Sequence, residues 1–306
     1  MHDYIARPVY YVGVHLFFAS LVWLAAWSLT SIVRGSATAK YWVWVATLLN
    51  FSLPLGAILD KSFARHLSWA TPLSVIGGAG LRIADNATLV GTVWVLGAIL
   101  MGARLYFRMH ADHRDTPAGT GTIHSKRGFS IDGIPVRFAT GWNSPVVDGV
   151  LHPEICLPAG IDRLLTKSEL NAVVLHELAH ARRRDNLIWL IQEIALCLLW
   201  FHPLVWATGS RLALYRELSC DEAVIHSGHS QNLVSALAKL ANPEQPALLQ
   251  ATVTSFMSHR LARLSELQPQ RTSRLVTALL TVAFGAMLAA GAFATVSHTA
   301  CCFVNK

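Results

Sequence analysis

His176-Glu177-x-x-His180 lies in the stretch VLHELAHARRRD, Val174 to Asp185. Residues four apart share one face of a helix, so the two imidazoles can reach a single ion. Further along, Glu217 and Asp221 are also four apart. Two neutral imidazoles and the Glu217 carboxylate make a zinc donor set that leaves the fourth position open. A water there turns acidic. Glu177 sits between the ligands, where it can take that water's proton as general base and pass it to a leaving amine. Asp221 is placed to accept the second ring N–H of a ligand histidine. This chemistry is metal-assisted hydrolysis of a peptide bond, with one Zn2+ per chain. A zinc ion that only holds the domain together is the rival reading. Glu177 argues against it, because a structural site needs no base beside the ion.

Other residues carry weaker signals. His226 and His229 follow Asp221 closely; either could steady an oxyanion, and the plainer reading makes them helix-end residues. His202 precedes Pro203 at a bend and reads as a surface residue. Arg182, Arg183 and Arg184 read as a solvated or lipid-facing basic patch. His15 reads as packed against a neighbouring helix.

The elements that must position the motif are legible around it. Thr166 and Glu169 form a capping box, each side chain satisfying an orphan backbone N–H at a helix start. Leu170, Val173, Val174 and Leu178 continue as an apolar stripe at helical spacing. Pro203 suits a first helical turn and Gly228 a helix end, which brackets a helix bearing Glu217 and Asp221. The apolar run 187–206 then forms the outgoing arm and turn of a helical hairpin. Glu193 within it argues against a full membrane span, since an unpaired charge at the bilayer centre costs at least about 2.5 kcal/mol; a helix touching the membrane surface is the expectation. Upstream, 110–128 reads as a linker. Short apolar runs broken by Gly and Pro over 131–157 read as a few short strands, one edge of which could pair with an extended peptide.

Only 14% of the 306 residues are charged, against about 25% in a soluble domain, and the deficit is concentrated. No Asp, Glu, Lys or Arg occurs over 8–33, 41–59, 86–103 or 275–297. These segments meet or approach the roughly 20 residues that span a bilayer, and Trp42 and Trp44 sit at one end of the second as interfacial anchors would. The expected organisation is a membrane domain over 1–108 with helices at about 9–33, 41–59 and 86–103, a zinc metallopeptidase domain over 109–274, a fourth helix over 275–297 and a short extracytoplasmic tail over 298–306. Arg104, Arg108, Arg260, Arg263, Arg271 and Arg274 flank the central domain and place it in the cytoplasm, although Lys61, Arg65 and Arg82 then fall outside. The net charge of +7 is explained by attraction to anionic lipid beside these helices, without nucleic acid. The five cysteines show no C-x-x-C spacing, and Cys156, Cys197 and Cys220 are expected as free thiols.

Taken in order, SPVVDGVLHPEICLP, ELNAVVLHELAHARRRDNL, WFHPLVW and RELSCDEAV resemble the membrane zinc peptidases of the BlaR/MecR antirepressor type. The resemblance covers Ser144 to Val224 in motif detail. It implies a mainly α chain: four transmembrane helices with a cytoplasmic α+β gluzincin-like zinc peptidase domain between the third and fourth. It implies His176, His180 and Glu217 as ligands and Glu177 as base. It implies a multi-pass protein of the bacterial inner membrane whose protein substrate is a cytoplasmic transcriptional repressor and also the chain itself. The sensors of that family carry a penicillin-binding domain after the fourth helix. This sequence stops at Lys306, so no β-lactam binding is expected, and a membrane sensor partner or the loop Asp60–Asp85 is left to supply a trigger. A membrane quality-control or prenyl-type zinc protease and a non-catalytic zinc-stabilised transducer are the alternatives.

Overall fold

A computed structural model describes residues 2–32, 35–52, 87–111, 126–139 and 144–240, together with 260, 278, 282, 284–286, 288 and 289. The loop Asp60–Asp85, most of the linker and most of 275–297 lie outside the described residues; those described between 278 and 289 are helical. In chain order come α1 (His2–Ile32), α2 (Ala37–Ser52), α3 (Ala87–Ala111), β1 (Lys126–Ile131), β2 (Ile134–Ala139), β3 (Val146–Asp148), β4 (Glu154–Pro158), α4 (Ile161–Leu164), α5 (Lys167–Arg183), α6 (Asp185–Leu198), α7 (Pro203–His226) and α8 (Ser230–Leu240). Two stretches are long and apolar enough to cross a membrane, His15–Ile32 of α1 and Leu89–Met109 of α3. α3 runs past the expected 103, so Arg104 and Arg108 lie on the helix itself. Of the second expected span, 53–59 lies outside the described residues.

The four strands form one sheet in the order β1-β2-β4-β3. β1 begins inside the stretch expected as linker. It pairs with β2 through a tight Asp132-Gly133 turn in which both residues take positive φ, 52° and 77°, as a two-residue hairpin with strand-matching twist requires. β2 and β4 are parallel, and β3 closes the far edge antiparallel to β4. The inner face of the sheet contributes Val136, Ile155 and Leu157 to a core shared with Val173, Val174 and Leu178 of α5, Val224 of α7 and Leu233 of α8.

A second core lies on the other side of α7. Tyr41, Trp44, Leu48 and Phe51 of α2, all fully buried or nearly so, pack with Leu16 of α1, Leu196 of α6 and Val205, Leu212 and Tyr215 of α7. α1 and α2 therefore share one core with the hairpin that follows the sheet. Trp44 sits inside this core, whereas Trp42 is exposed, so only Trp42 is available as an interfacial anchor. The Glu222 carboxylate ties α7 to the start of α2, accepting from Ser36 Oγ at 2.7 Å, Thr38 N at 3.0 Å and Thr38 Oγ1 at 3.0 Å. α7 thus borders both cores, and Glu217 and Asp221 occur where they meet.

α5 starts at the expected capping box: Thr166 Oγ1 accepts from Glu169 N, and Glu169 Oε2 accepts from Thr166 N. The same carboxylate also accepts from Lys239 Nζ at 2.7 Å and Ser235 Oγ at 2.5 Å on α8. The Lys239, Ser235 and Thr166 hydrogen bonds hold its pKa down to about 2, below the ordinary 4.5. A depressed carboxylate contributes stability that is present above its unfolded pKa and lost as pH falls through its folded one. Thermal unfolding of wild type and Glu169→Gln should therefore differ at pH 5 and converge between pH 4.5 and 2. A gap that persisted at pH 2 would show that the packing of α8, and not this charge, carries the difference.

Candidate metal centre

His176 and His180 lie one turn apart on α5, facing α7. Their Nε2 atoms are 3.2 Å apart. Glu217 meets both, with Oε2 3.6 Å from His176 Nε2 and Oε1 3.6 Å from His180 Nε2. Ligands about 2.0–2.1 Å from a tetrahedral zinc ion stand about 3.4 Å from one another. The two nitrogens and the Glu217 carboxylate, which turns one oxygen to each histidine, thus stand at about the separations of zinc ligands. Two imidazole nitrogens this close also need a proton or a cation between them, because both lone pairs cannot face each other unshared.

The outer nitrogens each meet a carboxylate. His180 Nδ1 is hydrogen-bonded to Asp185 Oδ2 at 2.7 Å, and His176 Nδ1 lies 3.1 Å from Asp221 Oδ1 without the alignment of a hydrogen bond. Such carboxylates fix the ring orientation and raise the basicity of a ligand histidine. Burial works against a charged His176, but the Asp221 and Glu217 carboxylates outweigh it and push its pKa up to about 9. Burial likewise opposes ionisation of Glu217, and His176, His180 and Arg260 overcome it, so this carboxyl is held far below its usual range. Glu177 differs. Its burial dominates over the nearby histidines and pushes its pKa up, the direction that turns a carboxylate into a better proton acceptor at neutral pH.

Cys220 is the other donor at hand. Its Sγ and the ring nitrogens of His176 and His180 all lie within 4.8 Å of one another. Arg183 Nη2 points at this sulfur from 2.9 Å, and burial raises the thiol pKa well above 9. A metal needs the thiolate, so the already ionised Glu217 is the better third donor.

Over residues 12–264 the chain matches the family model of the BlaR1 peptidase M56. The chain belongs to this family. It is 28% identical over 235 residues to the regulatory protein BlaR1 of Bacillus licheniformis, a match that takes in 70% of this chain and 38% of that protein. It is 24% identical over 101 residues to the methicillin resistance mecR1 protein of Staphylococcus aureus, covering 33% of this chain and 17% of the relative. The chain thus spans well under half the length of the curated relatives it matches. Membership makes it a relative of metallopeptidases. The two candidate spans, with this kinship to membrane regulators, support a membrane protein.

The M56 centre also contains residues that the sequence did not flag. Asp185 is the most consequential. Beyond His180 it accepts from Tyr41 Oη of α2 at 2.8 Å and from Arg183 Nη2 at 2.6 Å. Arg183 is not part of a surface patch. It is largely buried, lies 4.8 Å over the Tyr41 ring, donates to Arg216 O at 3.1 Å and bonds Ser219. Arg182 pairs with Asp132 in the β1–β2 turn. Arg260, expected only as a membrane flank, is buried and grips Asp221 with two bonds, Nε to Oδ2 at 2.9 Å and Nη2 to Oδ1 at 2.8 Å. Its Nη1 lies 3.5 Å from Glu217 Oε2. His226 Nδ1 turns back to its own helix, 2.6 Å from Glu222 O, and His229 meets Asn171 and Asn232. Arg260, like Arg183 at Asp185 and Arg216 Nε at 3.9 Å from Glu217 Oε1, brings a cation to the cluster, and neither of these histidines does. His202 is not at a free surface; its ring is 5.0 Å from Phe51 and its Nε2 3.4 Å from Ser20 Oγ. His15 packs inside, 3.3 Å from Phe51 O.

A sharp break puts Asp185 under His180. Arg184 ends α5 in the left-handed region, φ 55° and ψ 48°, and α6 starts at the next residue. That conformation costs an ordinary side chain about 1–2 kcal/mol and glycine almost nothing. Arg184→Gly should keep the metal site and raise thermal stability slightly. Arg184→Val should lower stability by more than about 1 kcal/mol. Unfolding curves in one detergent would check both, and a destabilised glycine variant would show that the Arg184 side chain matters for itself. The edge strand β3 meets the same region: Asn186 Nδ2 donates to Val147 O at 2.9 Å and Gly149 O at 3.0 Å. An incoming peptide strand would have to displace Asn186 there.

Proposed function

We propose that this M56 chain is an integral-membrane zinc endopeptidase of regulated proteolysis, whose substrate is a cytoplasmic or membrane-proximal protein, a transcriptional repressor in the first place and the chain itself in the second. The observation that carries the reading is the convergence of His176 Nε2, His180 Nε2 and Glu217 at 3.2–3.6 Å, each histidine backed by its own carboxylate. His176, His180 and Glu217 would hold the ion. When bound, zinc supplies a Lewis acid that acidifies a water molecule and polarises the scissile carbonyl. Glu177 would serve as the general base, taking a proton from the attacking water and handing it to the leaving amine. Asp221 and Asp185 keep the two imidazoles turned inward, and Arg260 offsets the Asp221 and Glu217 charges. The regulatory and methicillin-resistance names of the relatives support a signalling role.

The test compares new protein N-termini in cells expressing wild type or Glu177→Ala at equal levels. Fragments present only with wild type, a repressor among them, are the expected result. Identical profiles from zinc-loaded proteins would sink the protease reading. A non-catalytic zinc-stabilised transducer is the second reading, and the position of Cys220 beside both histidines favours it, since thiolates are common ligands of closed structural sites.

A further inference from the structure

We propose that the α6–α7 hairpin is inserted in the bilayer beside α3, its tip past the bilayer midplane, with lipid acyl chains as the partner of its outer face. The inference rests on α3 crossing the membrane over Leu89–Met109, none of which is buried in the protein.

α6 lies along α3, and the tip of the hairpin meets Trp94. Trp94 Nε1 donates to Leu198 O at 2.8 Å, and Trp200 Nε1 donates back to Trp94 O at 3.3 Å. The Trp200 ring fills the space over Gly97, where a Cβ would come within 2.1 Å of the indole. Trp94 is fourteen residues from Arg108, about 21 Å along the helix. The tip therefore sits about two thirds of the way along the apolar window from its basic end.

Backbone at that depth has no water to bond, so a non-helical turn survives only if its polar groups are satisfied internally. In this turn the carbonyls of Leu198, Leu199, Trp200 and His202 are. Leu198 O takes the Trp94 indole and Trp200 O takes the Trp206 indole at 2.8 Å. Leu199 O and His202 O accept from His202 N at 2.9 Å and Val205 N at 3.1 Å. Two indole donors placed on the carbonyls of one turn would gain little in water, where solvent can do the same.

The side chains agree. From Asn186 to Ser210 the only Asp, Glu, Lys or Arg is Glu193. It is buried and paired with Arg108 of α3 at 3.3 Å, which removes the objection its charge raised to insertion. Close contact of the two arms at Gly209, where Gln192 lies against the glycine, keeps polar atoms between them. The outer face exposes Ile194, Leu198 and Phe201, as the neighbouring α3 exposes Leu96, Ile99 and Leu100, while the Arg104 guanidinium lies over the Trp206 ring at 5.5 Å. An apolar band this size that continues a membrane span fits acyl chains.

One consequence concerns the peptidase centre. Glu217 is fourteen residues from Pro203 and Asp185 thirteen from Leu198, so both lie about 20 Å back from the tip and Asp185 about 12 Å further back than Glu193, the partner of Arg108. The metal ligands then stand at the bilayer surface, and the substrate reaches them as a segment lying on or emerging from the membrane.

The wild-type chain would be reconstituted in phosphatidylethanolamine–phosphatidylglycerol vesicles doped with a phosphatidylcholine carrying a diazirine at its acyl terminus. After photolysis, adducts are mapped by mass spectrometry. Adducts across Ile194–Trp206, within about threefold of the yield on α3, are expected. Labelled α3 with an unlabelled hairpin overturns the proposal alone. If neither is labelled, α3 does not span, and both readings fall together.

Discussion

Glu177→Gln is expected to lower peptide cleavage by roughly a hundred- to ten-thousand-fold while leaving metal content unchanged, the range over which a positioned general base contributes. Glutamine keeps the size of the side chain and loses only its ability to take a proton. Glu177 lies buried among the charges of His176, His180, Glu217 and Arg260, and its own desolvation pushes its pKa up. A carboxylate so placed costs stability, which is reasonable where proton transfer needs it and wasteful where a metal is merely structural. Rates on a peptide spanning a cleavage site found in cells, with bound zinc assayed in the same samples, would check this. Undiminished cleavage would remove Glu177 from the mechanism. Loss of zinc together with activity would mean that Glu177 serves the ion and not the water.

Asp185→Ala should have the second largest effect. One carboxylate there serves His180, Arg183 and Tyr41. Its removal leaves a buried guanidinium unpaired, a change that typically costs about 3–5 kcal/mol. It also frees the His180 ring, and loss of such a partner lowers metal affinity about 10–100-fold. Asp185→Asn separates the two effects. The amide can still accept from Arg183 and Tyr41, but it cannot balance the guanidinium charge or raise the basicity of His180. It should recover part of the stability and little of the affinity. Zinc competition with a chromophoric chelator and thermal unfolding, run on both variants, give the two numbers. If both variants bound zinc as wild type does, Asp185 would be a structural anchor with no hold on the metal.

The parts of this account legible in the sequence are those set by local rules. The Thr166–Glu169 capping box, the apolar stripe behind His176 and Pro203 at the head of α7 each depend on residues within a turn or two, and each is found as read. Glu217 and Asp221 were visible because four-residue spacing on a helix is a local property too. What the sequence concealed depends on distant chain. Tyr41 and Asp185 are 144 positions apart, and Arg260 is 39 from Asp221. No spacing rule connects them. Asp185 stood in plain view at the end of HARRRD, but its role depends on Arg184 adopting a left-handed conformation, for which an arginine gives no signal. Arg183 was misjudged for a related reason. A run of three arginines reads as surface, and Arg182 and Arg184 are exposed, yet the helix end turns Arg183 inward onto Asp185. Trp44 was misjudged as an anchor because burial against α1 and α7 is tertiary.

The shared core of α2 with α6 and α7 has a mechanical meaning. Tyr41 reaches Asp185, and Ser36 and Thr38 hold Glu222, which neighbours Asp221. α2 is thus bonded directly to Asp185 behind His180 and, on α7, to the sequence neighbour of Asp221, so a shift of that helix would be felt at His180 first.

The central claim is that two histidines and a glutamate hold one zinc ion. Zinc-edge X-ray absorption on the purified, detergent-solubilised chain, with metal content from the same sample, tests it most directly. The account predicts one zinc per chain in a shell of nitrogen and oxygen at about 2.0–2.1 Å and no sulfur. A sulfur scatterer at about 2.3 Å would put Cys220 on the metal in place of Glu217 and contradict the open catalytic site.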